Sequence, residues 1–306
     1  MRHIFIINPA AGKGRHMSEL SEKISTELAR INPEIYITKG RGDAKLFARE
    51  TAKFGGDVRF YACGGDGTIN EVASGIIGFE NTQLVPIPCG SGNDFIKNFE
   101  DCDIFSNIAA LEHCEVSKID VVKINDEYAI NIGNLGFDAD VSDNMGKFKK
   151  LPFVSGKMSY NLSLAYCMFK KLGKKLSFLI DGETKIEGEF LLSVFANGTT
   201  YGGGFMAAPY AILNDGKLDF CAIRKISRFK ILEFVKLYKQ GKHIESESLR
   251  KYVTFLSCKK VTFFSKKPIS ICMDGENVMM DGEITVEIVP ACLNIARPVA
   301  GVLAWR

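Results

Sequence analysis

The stretch RFYACGGDGTINEVASGI, residues 59–76, places glycines and an acid between an apolar run and a run with helical spacing. Residues 58–63 are short, apolar and aromatic, which predicts a buried strand. The apolar residues that follow recur at helical spacing, namely Ile69, Val72, Ala73 and Ile76. Residues 64–68 are therefore predicted to join the end of a strand to the beginning of a helix.

A turn of this kind directs unpaired backbone N–H groups outward at the positive end of a helix dipole, a setting that binds phosphate. Glycine lets the chain bend sharply and lets an anion approach the backbone. The alternative, a tight connection with no ligand, is equally consistent with the turn alone. Asp66 favours the phosphate site, because an acid beside phosphates suggests a nearby metal ion or ribose hydroxyl.

Two other stretches repeat this chemistry. NPAAGKGR, residues 8–15, follows the predicted first strand, and PIPCGSGNDF, residues 86–95, includes the end of the fourth. Neither is a Walker A loop, since that pattern occurs nowhere in the chain. Ser91 and Asn93 can form hydrogen bonds, and Asp94 can hold a metal-bound water.

The pattern of apolar runs changes along the chain. Up to about residue 117, predicted strands (3–8, 34–38, 58–63, 84–87) alternate with predicted helices (16–30, 43–54, 68–77, 105–112), which favours a parallel sheet covered by helices. The remainder is rich in strands separated by turns, with helices near 156–172 and 228–240, as in an antiparallel sandwich. We therefore divide the chain into 1–120 and 121–295, with 296–306 able to return to the first part, and expect a ligand cleft between the two.

Composition restricts the class of protein. A chain of 306 residues with 46% hydrophobic and 25% charged residues is ordinary for a soluble enzyme of two domains, and no apolar segment is long enough to span a bilayer. The amino terminus becomes basic and glycine-rich too soon for a secretory signal. Nine cysteines without a CxxC pair and four dispersed histidines argue against a disulfide framework or a zinc site. These features predict a cytoplasmic protein, and the net charge of +3 argues against nucleic-acid binding.

One local cluster of charge stands out. Lysines between residues 147 and 175 surround the apolar segments LPFV and LSLAYCMF. This mixture could rest on an anionic membrane surface, although a solvated basic face on an ordinary helix is the simpler explanation.

Taken together, GGDGTINE (64–71), PCGSGNDF (88–95) and NPAAGKG (8–14) resemble the diacylglycerol kinase catalytic-domain family, whose bacterial YegS-like members are soluble lipid kinases. The resemblance continues through APYAILNDGKLD (208–219), MDGE (273–276) and VEIVPACLNI (286–295), and so covers nearly the whole chain. It implies an α/β amino-terminal domain of the NAD kinase and phosphofructokinase type that binds ATP, and a β-rich sandwich that binds the lipid. GGDG alone also occurs in NAD kinases.

The resemblance also implies residue roles around ATP and Mg²⁺. Residues 65–68 would lie against the phosphates, and Asp66 and Asp94 would face the metal-bridged phosphates. The full set implied to surround the nucleotide is Asn8, Pro9, Ala10, Ala11, Gly12, Thr38, Gly65, Asp66, Gly67, Thr68, Ile69, Asn70, Glu71 and Ser91.

The triplet Asp-Gly-Glu occurs three times, beginning at Asp181, Asp274 and Asp281. Asp-Gly is a favoured hairpin turn, and the first and third triplets are predicted to be ordinary hairpins. The triplet at Asp274 closes the apolar strand ISICM and is similar to the family's catalytic triplet, so we expect Asp274 to be the general base.

By the same resemblance, Glu276 and Asp120 would join an acidic network around magnesium, with Asp138 a weaker rival to Asp120. The segment AILNDGKLDF resembles a second, structural magnesium site. Its ligands would be the side chain of Asp215 and the carbonyls of Ile212 and Lys217, with Asp219 as a substitute. A plain β-turn is the alternative.

The sequence thus predicts a lipid kinase with diacylglycerol as the leading substrate. Phosphatidylglycerol, sphingoid bases and polyprenols stay open, because an apolar pocket distinguishes alkyl chains poorly. Two alternatives stay open as well: an NAD kinase-like phosphotransferase with Asp66 as its base, and an inactive lipid-binding regulator. Expected partners are the lipid alcohol and, transiently, the inner face of the membrane, and a homodimer is compatible with the fold.

Overall fold

The computed structural model describes residues 1–14, 17–148, 162–163, 166–167 and 172–299. Contacts divide the chain into two compact units, Val122–Val289 and a first unit of Met1–Val121 with the described residues of Pro290–Arg306. The division drawn from the sequence ended the second part at residue 295, whereas the chain joins the first unit from Pro290 onward.

The first unit is built on a parallel sheet. Strand β1 pairs with β2 and β3, and β3 pairs with β4, always in parallel. The strands are β1 (Arg2–Ile7), β2 (Glu34–Ile37), β3 (Val58–Gly64) and β4 (Thr82–Pro88), and the helices are α1 (Met17–Glu27), α2 (Asp43–Lys53) and α3 (Asp66–Ile76). This arrangement confirms the predicted α/β fold class.

Strand β3 lies between β1 and β4, and all seven of its residues are buried. The Phe5 and Tyr61 rings stack at 4.0 Å between neighbouring strands.

The expected helix at 105–112 is wrong, because two separate 3-10 turns, Cys102–Ser106 and Ile108–Glu112, occupy this region. Asn107 between them has extended backbone angles, and asparagine competes with helix by local hydrogen bonding.

The second unit is almost entirely antiparallel. Two strands, β5 (Cys114–Ile124) and β15 (Glu276–Pro298), cross the boundaries between the units. The other elements are β6 (Glu127–Ala129), β7 (Ile132–Gly136), α4 (Phe137–Phe148), β8 (Lys174–Ile180), β9 (Thr184–Ala196), β10 (Thr200–Tyr201), β11 (Phe205–Met206), β12 (Leu218–Arg224), α5 (Arg228–Lys239), β13 (Val253–Cys258) and β14 (Lys260–Met273). Helix α4 was not predicted, and the helix predicted at 156–172 falls largely outside the described residues.

The long strands β9 and β14 organise this sheet. Both pair with β8 near one end and with β7 near the other, so β7 and β8 share the space between them. On one face, the Phe178 ring packs edge-on against Phe190, Phe220 and Phe263, with ring centres 5.0–5.3 Å apart. The other face contributes to a second core that includes the buried side of α5. This β-rich unit is the second part of the predicted fold.

Each of the nine cysteines is a thiol rather than half of a disulfide. Burial raises the pKa of Cys221 and Cys258 to about 12, so these thiols stay protonated. Among the helices of the described residues, none combines the length and the apolar character needed to cross a bilayer.

Candidate active site

Three glycine-rich turns meet at the carboxyl ends of β1, β3 and β4. The Cys89 N–H donates to the Gly64 carbonyl at 2.8 Å, joining the second turn to the third. The Asn8 side-chain amide donates to the Thr68 hydroxyl at 2.8 Å, joining the first turn to the second. The structure thus brings together the three motifs that the sequence singled out.

Two of the glycines are required by close packing rather than by unusual backbone angles. A Cβ atom at Gly64 would lie 2.4 Å from the Thr68 side chain. A Cβ atom at Gly90 would lie 2.6 Å from the Cα of Gly65 and 2.9 Å from Asn93 Oδ1. Bare backbone therefore lets the second and third turns lie against each other at the N-terminus of α3, where N–H groups favour an anion.

Asp66, the first residue of α3, connects the second turn to the third. Its Oδ1 accepts the N–H groups of Asp94 at 2.7 Å and Phe95 at 3.1 Å. Burial raises the pKa of Asp66 and the neighbouring Asp94 raises it further, while the two N–H donors oppose the shift. One oxygen of this carboxylate is thus used to fix the third turn.

Asp94 is 4% exposed and lies beside Asp66. Its Oδ1 accepts the Lys97 ammonium at 2.6 Å. A Cβ atom added at Gly92 would lie 3.0 Å from Asp66 Oδ2 and 3.3 Å from Asp94 Oδ2. Two carboxylate oxygens therefore border the same small space beside Gly92, which no side chain of that residue fills.

This pair of carboxylates fits a Mg²⁺ ion that is shared with a substrate. Among the described residues, no group of three or more His, Cys, Asp or Glu side chains is placed to hold a metal ion. Mg²⁺ in kinases is commonly held by one or two carboxylates together with substrate phosphates and water, so a complete protein cage is not needed. Asp66 and Asp94 are the residues that would hold it.

Several residues implied to contact the nucleotide are used by the fold itself. Ile69 is fully buried, and its N–H donates to the Gly65 carbonyl. Neither the side chain nor the N–H of Ile69 is therefore available to a ligand. Glu71 accepts the Gly42 N–H at 2.8 Å and thereby holds the start of α2. Thr38, just beyond β2, is buried, and its N–H donates to the Ile7 carbonyl.

Other members of the set keep exposed surface. Ser91 is exposed at the tip of the third turn, and Gly12 is exposed in the first. The Asn8 side-chain oxygen accepts the Ala10 N–H at 2.9 Å, which shapes the first turn. Asn70, on α3, is half-buried. These groups remain candidates for nucleotide contact.

Asp274 lies in the second unit. The residue is 8% exposed, and its carboxylate is surrounded by backbone donors. Oδ2 accepts the Ile130 N–H at 2.7 Å, and Oδ1 accepts the Ile132 N–H at 2.8 Å. The Asn131 N–H lies between the two oxygens, at 3.2 and 3.4 Å. Three consecutive N–H groups therefore fix the position of this carboxylate.

The three Asp-Gly-Glu triplets are not placed as predicted. Asp274 and Gly275 are themselves the turn between β14 and β15, and Asp274 has a left-handed φ of 47°. Asp281, predicted to lie in a hairpin, is inside β15, where the pairing with β14 shifts register. Asp181 is a turn residue, as predicted. Burial and the three N–H donors, rather than turn type, distinguish Asp274.

The remaining acids of the predicted network are placed differently. Asp120, on β5, is 2% exposed, and its Oδ1 accepts the Ala291 N–H at 2.8 Å. Glu276 is the half-buried first residue of β15. The side chain of Asp138 lies outside the described residues.

The proposed structural magnesium site has the contacts of a turn. The Asp215 Oδ1 accepts the Lys217 N–H at 3.0 Å, and Oδ2 lies 3.7 Å from the Lys217 ammonium. Ile212 is exposed. Asp219 accepts the Ser257 hydroxyl, so it is engaged elsewhere. These contacts are those of a turn, and the second magnesium site stays a prediction from which we derive no chemistry.

The sequence did not identify two kinds of partner. Lys97, three residues after Asp94, carries the spacing of an ion pair within a helical turn and could have been noticed. The N–H groups of residues 130–132 carry no sequence signal, because every non-proline residue has one.

The chain is similar to known proteins over most of its length. Residues 2–124 match the family model described as the diacylglycerol kinase catalytic domain, and residues 132–297 match that of the YegS C-terminal NAD kinase beta sandwich-like domain. A curated relative, the diacylglycerol kinase of Bacillus subtilis (strain 168), is 26% identical over 285 residues and covers 91% of each chain.

Solved structures show the same fold. One from Bacillus anthracis str. Sterne has a TM-score of 0.73 at 24% identity and covers 96% of each chain. The structure of an NAD kinase from Archaeoglobus fulgidus in complex with ATP has a TM-score of 0.50 at 15% identity, covering 97% of this chain and 94% of that one.

The glycine turns, the paired carboxylates and the two matched domains define an enzyme of the kinase class. More particularly, the chain belongs to the diacylglycerol kinase catalytic-domain family and is a lipid kinase.

Proposed function

We propose that this enzyme transfers the γ-phosphate of ATP to the hydroxyl group of a lipid, with diacylglycerol as the substrate and phosphatidic acid as the product. The observation that carries the proposal is the meeting of three glycine-rich turns at the N-terminus of α3, beside Asp66 and Asp94. Such a site offers N–H donors to phosphates and carboxylates to a bridging cation.

On the donor side, residues 65–68 and the third turn hold the phosphates, and exposed groups of the first turn complete the nucleotide site. Asp66 keeps the third turn in place through Oδ1, while its Oδ2 and that of Asp94 remain directed toward the space beside Gly92. A Mg²⁺ ion bound there would neutralise charge on the phosphates. The Lys97 ammonium limits the negative charge that Asp94 contributes.

On the acceptor side, Asp274 takes the proton. As the lipid hydroxyl oxygen forms its bond to the γ-phosphorus, its O–H bond breaks toward the carboxylate and the bond from phosphorus to the ADP oxygen breaks. The N–H groups of residues 130–132 hold this carboxylate in a fixed position. A weak base suffices, because phosphoryl transfer passes through a loose transition state.

The lipid reading has specific support. The family model and the Bacillus subtilis relative both carry the name diacylglycerol kinase, although 26% identity leaves the choice among hydroxyl lipids to experiment. An NAD kinase-like reaction with Asp66 as the base is the alternative, and the acceptor that receives the label separates the two reactions. A lipid acceptor also implies work at the inner face of the membrane.

The test is transfer of label from γ-labelled ATP with Mg²⁺ to lipids in mixed micelles. Diacylglycerol, phosphatidylglycerol, a sphingoid base and a polyprenol are compared, with NAD as a soluble acceptor. Label on diacylglycerol supports the proposal, and label on another lipid replaces the substrate. Label on NAD alone transfers the role of base to Asp66, and no label on any acceptor favours an inactive lipid-binding regulator.

A further inference from the structure

The solvent side of α5 carries two large apolar side chains. Phe229 is 90% exposed and Leu232 is 70% exposed, three residues apart and therefore on the same side of the helix. The opposite side, formed by Ile231, Phe234 and Tyr238, is buried. The core of the unit is thus complete without Phe229 and Leu232.

Basic residues surround this apolar pair. Lys236, seven residues after Phe229, lies on the same side of the helix, and Lys239 lies one turn after it. Both are exposed. The helix as a whole has four basic residues, Arg228, Lys230, Lys236 and Lys239, against one acid, Glu233. An apolar centre with a basic border is the composition of helices that lie in the interface of an anionic bilayer.

Neighbouring residues engage the acid and one of the bases of α5. Glu233 accepts a hydrogen bond from the Ser248 hydroxyl, toward the protein. The Lys230 ammonium donates to the Ser248 carbonyl at 3.2 Å and lies 5.1 Å from the centre of the Tyr252 ring. The side of α5 that carries Phe229, Leu232, Lys236 and Lys239 is therefore apolar and positive, and the exposed Glu233 is engaged by Ser248.

We propose that Phe229, Leu232, Lys236 and Lys239, the docking face, bind the surface of a bilayer that contains anionic lipid. The two apolar side chains would enter the head-group region, and the two ammonium groups would contact anionic head groups. A second copy of the chain is a poorer occupant, because two basic faces would repel each other. The proposal adds a membrane-binding surface to the proposed function, and this surface can be tested without turnover.

The experiment measures sedimentation of the full chain with two kinds of vesicle in the absence of ATP. One is pure phosphatidylcholine and the other contains about 30 mol % phosphatidylglycerol. The variants are Phe229→Ser with Leu232→Ser, and Lys236→Glu with Lys239→Glu. Phe264→Ser is the matched control, since Phe264 is 60% exposed but lies on β14, away from α5.

We expect the wild type to partition onto the anionic vesicles. The serine pair should weaken partition at least about 10-fold, because the apolar insertion is lost. Loss of each positive charge should weaken binding to the anionic vesicles by about 5-fold. Because Lys236→Glu with Lys239→Glu reverses both charges, its loss of binding should be larger. Phe264→Ser should bind as the wild type does. Far-UV circular dichroism checks that all variants are folded.

Binding that is equal in all variants would overturn the proposal, as would a serine pair that loses self-association while vesicle binding is unchanged. Kinase activity on a short-chain, water-soluble diacylglycerol separates this proposal from the proposed function. Variants that lose vesicle binding but retain this activity support the docking face. Normal vesicle binding by a wild type with no kinase activity would contradict the proposed function alone.

Discussion

Replacing Asp274 with asparagine tests both the structure and the chemistry assigned to this residue. Each carboxylate oxygen accepts a short N–H bond, Oδ2 from Ile130 and Oδ1 from Ile132. An amide has only one acceptor oxygen, so in either orientation its NH₂ group faces a buried N–H. One unpaired buried donor costs about 1–3 kcal/mol, and loss of the charge weakens the remaining bonds, so we expect a loss of about 2–4 kcal/mol in unfolding free energy.

Asp181→Asn is the matched control, because Asp181 is also the first residue of an Asp-Gly turn with a left-handed φ, 52° against 47° at Asp274. Asparagine tolerates this backbone conformation at both sites. The N–H groups of Lys259 and Lys260 both donate to one oxygen, Oδ1, which an amide oxygen can replace. We therefore expect this control to lose at most about 1 kcal/mol.

Urea unfolding followed by far-UV circular dichroism measures both changes, and lipid phosphorylation is measured at a temperature where Asp274→Asn is folded. Loss of a general base should reduce kcat by about 10²–10⁴-fold, while Asp181→Asn should retain activity. Equal unfolding free energies for the two variants would refute the argument from N–H donors. Wild-type turnover in folded Asp274→Asn would refute its role as the base.

Three further outcomes are expected. Asp66→Asn can keep Oδ1 as the acceptor and place its NH₂ beside Asp94 Oδ2, so it should match or exceed the wild type in unfolding free energy without ligand. It should lose kinase activity and stabilisation by Mg²⁺ with ATP. Thermal unfolding with and without Mg²⁺ and ATP checks this, and a destabilised variant would contradict it. Burial lowers the pKa of His243 to about 4. Because only the unfolded chain binds a proton between pH 6.5 and 4, the wild type should lose about 2 kcal/mol more unfolding free energy than His243→Phe between pH 7 and 5. Parallel pH profiles of stability for the two proteins would argue against this. Phe178→Ala removes the ring at the centre of the aromatic cluster and should cost about 3–5 kcal/mol in unfolding free energy; a loss below about 1 kcal/mol in urea unfolding would show that the cluster rearranges.

The sequence predicted the elements whose signal is local. Helix α3 and strand β3 follow from apolar spacing, and the glycines at residues 64–67 and 90–92 indicated where the turns lie. Helix α4 was missed because its residues 137–148 contain alternating acids and small residues rather than a clear apolar face. The reverse error, the helix predicted at residues 105–112, arose because the extended backbone of Asn107 divides this segment into two 3-10 turns.

The candidate site also contains residues that the sequence predicted and contacts that it could not predict. Asp66 and Asp94 were found because each accompanies glycines after a strand. The hydrogen bonds from Asp94 and Phe95 to Asp66 could not be predicted, since they depend on how two turns pack. The donors to Asp274 lie 142–144 residues earlier in the chain and are backbone groups, so no residue type reveals them.

The pairing of β15 has a consequence for the timing of folding. Within the first unit, Ile295 pairs in parallel with Leu84, and the Asn294 amide donates to the carbonyls of Glu80 and Thr82. These partners are separated by more than 200 residues, and in the second unit Met273 pairs with Gly133. Contacts between such distant residues close slowly. A chain leaving the ribosome would therefore carry an unpaired edge at β4 until β15 is synthesised, and an unpaired strand edge is a site for chaperone binding or aggregation.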